Sequence, residues 1–139
     1  MGARRDAREF ALQILYAHEI NPVSTEVALR LFWDEHTAPK AVRDFATQLV
    51  MGVVQHRADL DRLIEEKSKN WSVGRMAKVD LNVLRMAAYE LLHCDDVPKN
   101  VAINEAIEVA RTFGTEDSPA FINGIIDEIA AGIPEKPAA

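Results

Sequence analysis

The chain has 139 residues, 48% of them hydrophobic and 27% charged, and a net charge of −6. A chain of this length buries about two-thirds of its unfolded surface, so one core can hold it without disulfide or metal staples. Its composition excludes a disordered polymer, and its acidic total excludes a protein that coats nucleic acid by bulk charge, although not a local basic patch.

Apolar spacing is helical almost everywhere. The first segment, residues 4–20, carries Ala7, Ala11, Ile14, Leu15 and His18 on one face. It ends at Asn21-Pro22, because a residue before proline is pushed out of the helical region. A second helix follows the candidate cap Ser24 and runs to residue 35, with Val27, Leu29, Leu31, Phe32 and Trp33 as its buried side. Pro39 suits the first turn of a third segment that could extend to residue 67. That length predicts a bend between Gly52 and Asp59. Residues 67–78 break the pattern, with Trp71 as their expected anchor, and mark the boundary between two halves. Helices are then expected over 80–94, 100–113 and 118–132. Gly114 stands where a left-handed C-terminal residue is wanted, Ser118 or Asp117 caps the last helix, and the tail from Pro134 is expected to be mobile. The fold class is all-α: about six to seven helices in two packed subdomains, residues 1–69 and 70–139.

No stretch of about 18 apolar residues could span a membrane. Residues 1–10 lack the apolar core of a signal peptide, and Asp6 stands where a myristoylation signal needs Ser or Thr. The single cysteine, Cys94, fits a reducing compartment and reads as a structural thiol. The expected location is the cytoplasm. Glycine-rich phosphate loops, paired-cysteine zinc patterns and histidines at i, i+4 are absent, so no catalytic residue, metal ligand or cofactor is expected.

Three constellations are candidates for function. Arg4, Arg5 and Arg8 share one side of the first helix, and Leu12 and Tyr16 extend that line. They form either a phosphate-gripping edge with an aromatic for stacking, or a solvated helix end paired to Asp6 and Glu9. Cations at a helix N-terminus oppose the macrodipole by about 0.3–1 kcal/mol each, which suggests a use. Three phosphate contacts on single-stranded RNA give a salt slope of only about −2, so base stacking would have to help. The second is the stretch 113–124. It is either a tight helix–turn–helix with Phe113 and Phe121 in the core, or a ligand site. Gly124 inside a helix costs about 1 kcal/mol against alanine and so implies a close helix contact, and Asn123 should bond a backbone group or a ligand. The third, Asp80, Arg85 and Glu90, is either a helix-surface ion network or a partner-docking face.

These stretches resemble the NusB family of bacterial transcription antitermination factors. The likeness lies in Arg4-Arg5-x-Ala7-Arg8-Glu9 with Ala11-Leu12-Gln13-x-Leu15-Tyr16, and in Asp80-x-x-x-Leu84-Arg85-x-Ala87-x-Tyr89-Glu90-Leu91. It continues in Asp96-Val97-Pro98-x-x-Val101-Ala102-Ile103-Asn104-Glu105-Ala106-Ile107-Glu108, Phe113-Gly114-x-Glu116-Asp117-Ser118 and Phe121-x-Asn123-Gly124-x-x-Asp127. The resemblance implies two helical subdomains packed across each other. It implies binding of boxA-type single-stranded RNA in ribosomal RNA leaders and at phage sites, jointly with NusE, a small-subunit ribosomal protein, in the transcription elongation complex. It further implies that Arg4, Arg5 and Arg8 hold phosphates, that Phe113, Asp117, Phe121 and Asn123 lie near the bases, and that Asp80 and its helix face NusE. The basic run here is short and interrupted by Asp6, so RNA affinity of the isolated chain is expected to be low, with NusE completing the site. Some relatives self-associate and some do not, which leaves a homodimer open.

Two other readings remain. The same helical module stands at the front of some ribosomal RNA cytosine methyltransferases, but no methyl-donor loop occurs in this sequence. A helical protein–protein adaptor without RNA binding is the alternative function.

Overall fold

The computed structural model describes residues 2–69 and 71–136. Seven α-helices follow in order: α1 Ala3–Ile20, α2 Thr25–Glu35, α3 Lys40–Gln55, α4 Arg57–Lys67, α5 Lys78–His93, α6 Lys99–Phe113 and α7 Ser118–Ala131. A single 3-10 turn, Val73–Arg75, lies between α4 and α5, and no strand occurs among the described residues.

Helix α5 is the axle of the fold. Every residue from Leu81 to Leu91 is buried, because α1, α3, α4, α6 and α7 all pack around it. Leu81, Leu84 and Leu91 are almost wholly removed from solvent, each worth about 1.5–3 kcal/mol of transfer free energy. Helix α1 lays its Ala7, Ala11, Ile14 and Leu15 stripe mainly against α3, as its spacing predicts.

The long third segment is broken as expected. It divides at His56, whose backbone angles (φ −105°, ψ 14°) separate α3 from α4. The break sits where His56 stacks on His93, with ring centroids 4.2 Å apart. One turn earlier, Gly52 presses on α5 so closely that a Cβ there would overlap the Tyr89 ring.

Helix α2 is lighter than its sequence suggests. Ser24 Oγ accepts from the Val27 amide at 3.2 Å, as a cap should. Yet no α2 residue is fully buried, and Leu31, expected on the buried side, is 54% exposed. The helix is held instead by edge-to-face contacts of Phe10 on α1 with Phe32 and Trp33, each at 5.7 Å.

The tail differs from its expectation of mobility over the part that is described. Lys136 Nζ donates to the carbonyls of Glu90, Cys94 and Val97 at 2.8, 2.7 and 2.5 Å. An ammonium thus gathers three carbonyls at and just beyond the C-terminus of α5, two of which also accept backbone amides, at the end where a cation is favoured. Residues 137–139, also part of that expectation, lie outside the described residues. Cys94 beneath this lysine is buried, and burial, with Glu90 and Asp96 adding to it, pushes its thiol up to about 11. No helix among the described residues is long and apolar enough to cross a membrane.

Candidate nucleic-acid interface

The arginine edge of α1 is built, but its partners are not those the sequence suggested. Neither Asp6 nor Glu9 pairs with the arginines among the described residues. The carboxylates come from the far end of the chain. Arg4 Nη2 donates to Asp96 Oδ2 at 2.8 Å, and its guanidinium lies 4.0 Å from the Phe45 ring centroid. Arg5 grips Glu105 with two parallel bonds of 3.0 and 2.7 Å. Arg8 donates to both oxygens of Glu90 at 2.7–3.1 Å and stands 3.5 Å from Glu105. The Arg5 bond holds the Glu105 carboxyl below its ordinary range against desolvation, and the Arg4 bond does the same for Asp96.

The three arginines therefore differ. Their side chains are 47%, 24% and 4% exposed for Arg4, Arg5 and Arg8. Arg4 and Arg5 can meet a phosphate at the surface. Arg8 cannot do so without abandoning Glu90, so its expected place in a phosphate grip is corrected: it is an interior strut that ties α1 to α5. Tyr16 is exposed, but it sits three turns beyond Arg4, about 18 Å along the helix at 1.5 Å per residue.

The α6–α7 turn is tightly locked. Ser118, itself buried, accepts the Thr115 amide at 2.9 Å. A Cβ at Gly114 would strike the Ser118 side chain and come within 2.8 Å of the Ala110 carbonyl oxygen. Gly114 is thus required by close approach. Its φ of −92° is not the left-handed conformation expected from sequence. Asp117 occupies the cap position of α7, but neither its side chain nor that of Ser118 caps the helix. Phe113, Asp117 and Asn123 are exposed, and Phe121 is half-buried. Gly124 meets nothing within 4 Å; the close helix contact expected there does not exist, and the backbone beside Asn123 is open. Glu105 and Phe113 are both on α6, about 12 Å apart by helix rise, so α6 links the arginine edge to this turn.

The third constellation separates into unrelated parts. Arg85 is 2% exposed and donates to Asp61 through two bonds of 2.7 and 2.9 Å, to Glu19 at 2.7 Å and to Asn82 at 3.2 Å. Its expected role on a docking face is corrected: it is a buried hub joining α1, α4 and α5. Glu90 belongs to Arg8. Asp80 is the one of the three that is only half-buried, and its Oδ1 is itself enclosed, with no hydrogen-bond partner among the described residues.

Trp71 is the expected anchor of the stretch between the halves. It is 52% exposed and packs edge-on against Phe121 at 5.9 Å. The signal available in the sequence was its setting, an aromatic among Lys69, Arg75 and serines. No group of three or more His, Cys, Asp or Glu side chains could hold a metal ion among the described residues.

The family model for NusB matches residues 5–131. The transcription antitermination protein NusB of Geobacter sulfurreducens is 58% identical over 137 residues, which is 98% of this chain and 99% of the relative. That of Geotalea daltonii is 52% identical, with the same shares covered. The solved NusB of T. maritima superposes with a TM-score of 0.87 at 38% identity, covering 96% of this chain and 93% of that one. A chain in a complex of the antitermination factors NusB and NusE with double-stranded RNA matches with a TM-score of 0.85 at 23% identity, covering 94% and 98%, and shares the fold. The seven-helix architecture and this agreement over nearly the whole length place the chain in the NusB family of transcription antitermination factors, which are not enzymes.

Proposed function

We propose that this chain binds boxA-type single-stranded RNA of nascent ribosomal RNA transcripts together with NusE, and so supports elongation by RNA polymerase in the bacterial cytoplasm. The observation that carries the reading is the α6–α7 turn. Gly114 and Ser118 fix its backbone, yet the polar groups of Asp117 and Asn123 are left unused by the fold beside an exposed Phe113. A rigid turn that presents an aromatic face, a carboxylate and an amide suits recognition of unstacked bases. Arg4 and Arg5 would hold phosphates at the other end of α6.

The carboxylates on those arginines predict weak binding by the chain alone. A phosphate must replace Asp96 or Glu105, and two contacts on a single strand give a salt slope of only about −1.4. NusE would complete the site. The NusE contact in this reading lies at the start of α5, where Asp80 is half-buried. We treat residues 1–69 and 70–139 as the two subdomains that this surface bridges. Were two copies to associate, the exposed Tyr16, Ile20, Val23 and Leu31 would be the face they share.

Fluorescence anisotropy of a boxA-containing RNA at two salt concentrations, with and without NusE, tests the reading. Salt-sensitive binding that NusE strengthens, that a scrambled RNA lacks and that Arg4→Ala with Arg5→Ala weakens is the expected result. The pairing of all three arginines with carboxylates favours a protein-only adaptor as the second reading, and absence of RNA binding in both conditions would overturn the first.

A further inference from the structure

We infer that Trp71, flanked by Lys69 and Arg75, is a base-stacking platform that extends the RNA surface from the α6–α7 turn onto the connector between α4 and α5. The inference rests on the RNA-binding reading above and adds to it a contact surface on a different part of the chain.

Four observations carry it. Trp71 is the larger of two rings in an edge-to-face pair, and its partner Phe121 lies on α7 between Asp117 and Asn123. The indole therefore lies beside the side of α7 that Phe121 shares with Asp117, one turn earlier. Its backbone is tied down on the C-terminal side. Ser68 Oγ donates to the Trp71 carbonyl at 2.7 Å, and the Val73 amide donates to Glu65 Oε2 at 2.9 Å. The ring is thus exposed from an anchored backbone, a costly way to display so much apolar area unless something covers it. Lys69 and Arg75 are both exposed, and neither is in an ion pair among the described residues. Arg4, Arg5 and Arg8 are all already paired. The connector therefore offers cations that need not first surrender a carboxylate. Exposed Glu66 is the nearest acid in sequence whose side chain the fold does not use.

An aromatic face beside unpaired cations is the chemistry that single-stranded nucleic acid recognises: a base stacks on the ring and the backbone phosphates meet the charges. A protein partner would use the same tryptophan and arginine chemistry, and the NusE arm of the test separates it from RNA.

The test uses Trp33→Phe, which leaves Trp71 as the single tryptophan. This change is mild, because Trp33 Nε1 is buried without a partner and phenylalanine keeps the ring contacts to Phe10 and Phe32. End-labelled boxA RNA is titrated while anisotropy and tryptophan emission are followed together, and anisotropy is repeated with NusE. The expected result is quenching of Trp71 along the same isotherm as the anisotropy. Trp71→Ala should weaken binding about 5- to 100-fold, Trp71→Phe should retain most of it, and the melting curves should be unchanged. Lys69→Gln with Arg75→Gln should flatten the salt slope by about 1.4.

Wild-type binding with unquenched emission and an unaffected Trp71→Ala would overturn the inference and leave the RNA reading standing. Trp71→Ala that loses NusE but still binds RNA alone would overturn it in favour of a protein contact. Failure of the wild type to bind RNA with or without NusE would overturn both.

Discussion

Arg8→Ala should behave as a folding mutation. The Arg8 and Glu90 side chains are 4% and 3% exposed and share three hydrogen bonds of 2.7–3.1 Å. Removing the guanidinium strands a carboxylate against the buried faces of Ala87, Val83 and Ala106, and breaking a buried pair this way costs about 3–5 kcal/mol. Glu105, 3.5 Å from Arg8, would also lose a neighbour, although Arg5 still holds it. At this chain length the loss corresponds to a fall in Tm of about 10–15 °C. Thermal and urea melts of Arg8→Ala, Glu90→Leu and the combined Arg8→Met/Glu90→Leu measure it. The double variant should recover most of the stability, because the cost comes from the uncompensated charge rather than from loss of a net-stabilising bond. An Arg8→Ala protein within 1 kcal/mol of wild type, or a double variant no better than the worse single, would refute the argument. The result also bears on RNA studies. Weak RNA binding by Arg8→Ala near its melting point reports unfolding, so phosphate contacts must be read from Arg4 and Arg5.

Helix identities and ends were legible in the sequence because they depend on local chemistry. Ser24 caps, Pro22 stops, and the Ala7–Ala11–Ile14–Leu15 stripe needs only a helical period to be seen. The polar roles were not legible, because they depend on residues far away in the chain. Arg8 finds Glu90 across 82 residues and Arg5 finds Glu105 across 100, whereas spacing reveals only neighbours such as Asp6 and Glu9. Periodicity also misled at α5. It reads Arg85 and Glu90 as a solvated face, but five helices enclose this one, so Asn82, Arg85 and Glu90 had to find partners inside the fold. Gly124 and Trp71 erred in the opposite direction. A helical glycine and a tryptophan both suggest tight packing, and both face open surface here.

Gly114→Ala should destabilise by about 1–3 kcal/mol, the range for overpacking, because the added methyl meets Ser118 and the Ala110 carbonyl; Gly114→Ala with Ser118→Ala should recover part of this in a urea melt. Stability should also fall with acid in two stages, read as ΔG from urea titrations between pH 8 and 3. His93 is held below its ordinary value by desolvation first and by the facing His56 second. A depressed histidine favours its neutral form in the fold, so its contribution is complete above pH about 6.5 and declines as pH falls from there toward its folded value. Glu105 and Asp96 are also depressed, chiefly by their arginine bonds against desolvation, and in Glu19 desolvation is the largest single influence but is outweighed by the bond to Arg85 with the charges of Arg85, Arg57 and Lys78. Their contribution is present above about pH 4.5, and it is lost only as pH falls below that toward their folded values. The two stages separate by mutation. His93→Gln should remove the loss that begins below pH about 6.5 and leave the steeper loss below 4.5 intact. Persistence of the upper stage in His93→Gln would mean that the stacked pair at the α3–α4 break is not its source.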